Sequence, residues 1–142
     1  MLSTFTWYFL STNGRISRQE FRLGYFGLIL VDVLIIRTWR NLTIPRVRYY
    51  NVPDLNPPLD LAPLLAVLIT LWPLVAVLVK RLHDLNVSGW WLLLVLAAPA
   101  VADAIHIKIW FPYLLLLAVL GFLPGRSGDN RFGRDPLARA GI

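Results

Sequence analysis

Cysteine is absent from the 142 residues, which excludes disulfides, thiolate metal sites and thiol nucleophiles. Histidine occurs only as His83 and His106, and neither belongs to an H-E-x-x-H pattern. A G-x-S-x-G nucleophile turn and a P-loop are missing too, so the common hydrolase and nucleotide-binding signatures are not available. Lysine is limited to Lys80 and Lys108. Charge is sparse overall, at 15% of residues, whereas an average soluble domain carries about 25%. There is no internal repeat and no low-complexity tract. The first positive charge is Arg15, so the apolar Leu2–Leu10 stretch lacks the basic start and the small-residue cleavage site of a signal peptide.

What is present in excess is apolar sequence. Hydrophobic residues make up 57% and the mean hydropathy is +0.61. They are gathered into long uncharged runs, which points to an integral membrane protein. The basic balance fits this reading. Fourteen Lys and Arg against eight Asp and Glu give a net charge of +6 and a pI near 10.3. The cations are divided among short segments between apolar runs. That pattern suits anionic lipid headgroups and topology setting rather than nucleic acid.

A spanning helix needs about 20 apolar residues. Four segments qualify, at about 18–39, 61–80, 87–105 and 108–124, and they predict an all-α membrane bundle within one domain. Segment 2–12, with Phe5, Trp7, Tyr8 and Phe9, is too short to span and reads as an interfacial helix. Asn13-Gly14 is a turn signal, and Ser17-Arg18-Gln19-Glu20 fits a capping box that starts the first span. The proline-rich stretch Asn41–Asp60 reads as an irregular loop, and residues 125–142 as a polar tail. With four spans and a cytoplasmic N-terminus, nine Lys and Arg lie inside and five outside. The positive-inside rule therefore places both termini in the cytoplasm.

Three polar motifs punctuate the apolar runs. They are Gly14-Arg15-Ile16-Ser17-Arg18, Lys80-Arg81-Leu82-His83-Asp84 followed by Ser88-Gly89-Trp90-Trp91, and Gly128-Asp129-Asn130-Arg131-Phe132-Gly133 with Asp135-Pro136. In this order, over about Phe5 to Pro136, they resemble the domain-of-unknown-function 805 family of small bacterial inner-membrane proteins. The resemblance implies a multi-pass inner-membrane protein and carries no mechanism.

In the four-span topology all three motifs share the cytoplasmic face. The candidate polar cluster comprises Arg15, Arg18, Arg22, Lys80, Arg81, His83, Asp84, Asp129, Asn130 and Arg131. One reading is an ionic clasp tying the tail to the helix ends, with Arg131 paired to a loop carboxylate, Phe132 inserted between helix ends and Arg81 serving the dipole of its own helix. Another is a pocket for an anionic headgroup, held by arginine forks. A third is catalysis on a phosphorylated lipid through His83 and Asp84, although adjacent helical residues diverge by about 100°. Neither a metal site nor a cofactor is indicated.

Asp32 falls in mid-span, where a carboxylate is costly and needs a protein partner or a cavity. Thr70 is the polar candidate on the second span. A small transporter or channel subunit using Asp32 is the alternative function. Gly24 and Gly27 suggest close helix approach, and Trp90 and Trp91 suggest interfacial anchors. The leading expectation is a non-enzymatic inner-membrane protein, structural, lipid-interacting or partner-binding, with a homo-oligomer or another membrane protein as possible company.

Overall fold

The computed structural model of the chain describes residues 2–48, 61–104, 106–108 and 110–139. Over these residues the architecture is all-α. The helices are α1 (Leu2–Leu10), α2 (Arg18–Arg48), α3 (Leu61–Asp84), α4 (Leu93–Ala104), α5 (Trp110–Phe122) and the short α6 (Pro136–Arg139), with a 3₁₀ turn at Gly89–Leu92. Helix α3 is the hub: α2 and α1 pack on it, α5 packs on α2, and α4 pairs with α5.

Two helices run further than the sequence pattern suggests. Helix α2 passes Trp39 and continues to Arg48, so 41–48 is helical where an irregular loop was expected; residues 49–60 lie outside the described ones. No glycine stop occurs over 41–48. Helix α3 passes Lys80 and continues to Asp84. It ends at Asn86, whose φ of 62° is the left-handed conformation that closes a helix. The Val87 amide donates to the Leu82 carbonyl at 2.9 Å and the Asn86 amide to His83 at 3.0 Å, the paired bonds of a Schellman cap.

The last two apolar stretches form shorter helices than expected. Segment 87–105 is divided into the 3₁₀ turn and the 12-residue α4, and 108–124 contracts to the 13-residue α5. At 1.5 Å per residue α5 is about 20 Å long, against a hydrocarbon core of about 30 Å. Among the described residues, one helix is long and apolar enough to cross a membrane by length and composition, at Leu64–Asp84. Helix α2 has the length, but Arg22, Asp32, Arg37 and Arg40 interrupt its apolar run.

Burial is inverted relative to a water-soluble domain. Leu23, Leu30 and Leu34 on α2, Leu65, Leu68 and Ile69 on α3, and Leu114 and Leu115 on α5 are exposed, while Arg15, Lys80, Arg81 and Asp84 are buried. A small apolar core of Ile16, Phe21, Val77, Leu82 and Leu120 lies beside those charges. It joins the 11–17 linker, α2, α3 and α5 at one end of the bundle.

Helix α1 is fastened to α3 by its own unsatisfied end. Its last carbonyls have no intrahelical partner. The Lys80 ammonium donates to the Trp7 and Tyr8 carbonyls at 2.6 and 2.5 Å and sits 4.5 Å over the Trp7 ring. The Trp72 indole donates to the Leu10 carbonyl at 3.0 Å. On the α2 side, Gly24 gives α1 room, since a Cβ there would lie 2.5 Å from the Tyr8 hydroxyl. Gly27 has open space around it, so of the two glycines only Gly24 serves a close approach.

Candidate functional site

The site is built where α3 ends. Both bonds of the capping box form: the Ser17 amide donates to the Glu20 carboxylate at 2.8 Å and the Glu20 amide to the Ser17 hydroxyl at 3.3 Å. Upstream, Gly14 adopts a φ of 98° against the Trp7 indole. This turn sends the next residue, Arg15, inward.

Asp84 is the centre. Its Oδ1 accepts from Arg15 Nε at 3.2 Å and Nη2 at 3.0 Å. Its Oδ2 accepts from Arg81 Nη1, one helical turn earlier. Both guanidinium groups also donate to backbone carbonyls. Arg15 donates to Gly128 at 2.6 Å, to Gly133 at 3.4 Å and to Arg126. Arg81 Nε donates to Leu120 at 2.7 Å, and its Nη2 to Leu123. Leu120 belongs to the final turn of α5 and Leu123 follows it, so Arg81, in the last turn of α3, also serves the C-terminal end of α5. One carboxylate and two buried arginines thereby join the linker, α3, α5 and the tail.

The third motif folds into a closed turn over this centre. Asn130 and Gly133 exchange backbone bonds at 3.1 and 3.0 Å. The Asn130 side chain accepts from the Phe132 amide at 2.9 Å and donates to the His83 carbonyl at 2.9 Å. Asp129 accepts from the Asp135 amide at 2.9 Å. Asp135 in turn accepts from the Gly128 amide at 2.7 Å and caps α6 through the Leu137 amide at 3.0 Å, with Pro136 at the first helical position. The Leu137 and Gly128 amides hold the Asp135 carboxyl below the usual carboxylate range.

His83 and Asp84 face different partners. The His83 ring lies flat on Phe132, with centroids 3.9 Å apart and planes at 4°. Its Nδ1 is 3.2 Å from the Gly14 carbonyl, which can only accept, so the hydrogen is on Nδ1. Asp84 therefore does not orient the imidazole. Arg131 lies 4.6 Å over the Phe132 ring and reaches the Asn86 carbonyl at 3.5 Å. Its expected loop carboxylate is replaced by these two contacts, because Asp129 and Asp135 are already committed to amides within the tail. Phe132 docks, but on a ring face rather than between helix ends.

The remaining candidates stand apart from the centre. Arg18 is exposed and Arg22 half-buried on α2. Lys80 is buried, but its ammonium serves α1. Asp32 is half-buried far along α2, with the Thr70 hydroxyl 3.0 and 3.1 Å from its two oxygens. Among the described residues no three His, Asp or Glu side chains converge as metal ligands. Sequence reasoning passed over Gly125: a Cβ built there would fall inside the Asp84 carboxylate, and a Pro-Gly pair after an apolar run was the available signal.

This arrangement draws on all three motifs, and a family model matches most of the chain. The model described as "Protein of unknown function (DUF805)" matches residues 9–134. The chain belongs to the DUF805 family. It is 30% identical to "Uncharacterized protein YiiR" of Escherichia coli strain K12, over 91% of this chain and 87% of that protein. It is 35% identical to "Inner membrane protein YhaI" of the same strain, over 51% of this chain and 52% of that one. No solved structure matches the chain. The matched residues take in Arg15, Arg81, Asp84 and the Asn130–Gly133 turn.

Proposed function

We propose that the chain is a non-catalytic multi-pass protein of a bacterial cytoplasmic membrane, whose cytoplasmic end is an ion-locked clasp with a basic rim for anionic headgroups or a membrane partner. The inverted burial carries this reading: charges are inside at one end, and leucines face outward along α2, α3 and α5. Hydrocarbon is the solvent that favours such a surface. The name of the relative YhaI, an inner membrane protein, points the same way.

The chain's course supports four traversals. Arg15 and the tail meet at the same end of α3, and Arg81 ties the end of α5 there too. Helix α4 therefore leaves that end and α5 returns to it. Short helices of this kind are accommodated by local thinning of the bilayer. Asp32, bonded to Thr70, serves as an interhelical lock. A non-catalytic role is supported by the separation of His83 from Asp84 and by the commitment of Arg15 and Arg81 to carbonyls. The test is a reporter fused after Ile142: cytoplasmic signal alone is expected, and periplasmic signal alone overturns the topology.

A further inference from the structure

The polar end contains a cleft that the clasp leaves open. It has a volume of about 330 Å³ and lies between the start of α2 and the tail, walled by Arg18, Arg126, Ser127, Asp135 and Leu137, with Asp84 in its lining. Arg18 and Arg126 are both exposed. Among the described residues the ion pairs are Arg15–Asp84 and Arg81–Asp84, so the Arg18 and Arg126 guanidinium groups are not neutralised by a carboxylate.

The pairing of charges around the cleft favours an anion. Arg15 and Arg81 already outnumber the one carboxylate they share. The cleft lining itself holds Arg18 and Arg126 with Asp84 and Asp135. Asp135 is committed to the Gly128 and Leu137 amides, so neither carboxylate of the lining pairs with the Arg18 or Arg126 guanidinium. Arginine forks bind phosphate oxygens bidentately, and the Ser127 hydroxyl adds a donor. Leu137, half exposed at the mouth, offers an apolar contact beside the charges.

We propose that this cleft binds a phosphate group through Arg18 and Arg126. The group is that of an anionic phospholipid headgroup or of a free phosphate. The lipid source rests on the proposed topology, which sets the start of α2 at the cytoplasmic headgroup level.

The experiment uses the full chain. Native mass spectrometry compares retention of phosphatidylglycerol and phosphatidylcholine, and phosphorus NMR follows titration with inorganic phosphate. Variants are Arg18→Gln, Arg126→Gln and, as a control off the cleft, Arg134→Gln. Loss of one charge-assisted bond weakens binding by about tenfold or more. That loss is expected in Arg18→Gln and Arg126→Gln and not in Arg134→Gln. Phosphatidylglycerol preference identifies the lipid source, and phosphate binding identifies the free anion. Equal binding in all four proteins, or equal loss in all three variants, overturns the cleft while leaving a basic rim. Absence of both phosphatidylglycerol preference and phosphate binding in the wild type also overturns it. The Ile142 reporter reads the topology independently of either result.

Discussion

Replacing Asp84 with asparagine keeps the side-chain shape and removes the one negative charge between two buried cations. Arg15 and Arg81 are 2% and 0% exposed, and Asp84 is 3% exposed, so water does not take over the lost interaction. The amide also turns a donor toward a guanidinium that needs an acceptor. Deleting one partner of a buried ion pair costs about 3–5 kcal/mol, whereas an exposed pair is worth about 0–1 kcal/mol. For a chain of this size the larger cost lowers Tm by roughly 10 °C. Thermal unfolding in detergent, followed by tryptophan fluorescence, gives the measurement. Asp103→Asn, at an exposed carboxylate, should stay within about 0.5 kcal/mol of wild type. An Asp84→Asn loss no larger than that of Asp103→Asn refutes the reasoning.

Three further outcomes follow from the geometry. Gly125→Ala should cost about 1–3 kcal/mol by overpacking and should add little to Asp84→Asn, because both perturb one carboxylate; full additivity in thermal unfolding would separate them. Thr70→Val should lose about 0.6–1.7 kcal/mol, the range for a hydrogen bond between membrane helices, and Asp32→Asn should lose less because an amide oxygen still accepts from Thr70; equal stability of both variants and wild type would show that the pair does not join the helices. Tyr8 donates to the Glu20 carbonyl, and burial, with the nearby Glu20 charge, pushes its phenol from the usual 10.0 up to about 12. The folded state favours the neutral phenol, so its contribution is complete below pH 10 and is lost as the pH rises toward 12. Alkaline unfolding should show this decline in wild type and not in Tyr8→Phe.

Local grammar was legible in the sequence, and long-range partners were not. Ser17 and Glu20 are three residues apart, and their bonds need only the helix start that the spacing specifies. Thr70 could be named for Asp32 because hydrocarbon leaves a mid-span acid few polar choices. Phe132 stood out as an aromatic in a polar turn. By contrast, Arg15 looked like one arginine among many: its burial depends on the Gly14 turn, the end of α3 and the tail meeting at one place. Lys80 read as the end of a span, but only the docking of α1 gives its ammonium two carbonyls. Arg81 was expected at the end of its own helix, where it lies, but its bonds to the end of α5 depend on a long-range approach. The continuation of α2 beyond Trp39 was hidden by Pro45, which in sequence reads as a helix breaker.

The claim that the Asp84 centre closes the tail onto the bundle is tested most directly by amide hydrogen exchange across 126–135 in lipid nanodiscs. The Arg126, Gly128, Asn130, Phe132, Gly133 and Asp135 amides all have acceptors in the structure. Wild type should protect this segment, and Asp84→Asn should release it while the apolar stretches of α2 and α3 stay protected. A tail that exchanges freely in wild type, or one equally protected in Asp84→Asn, would contradict the account.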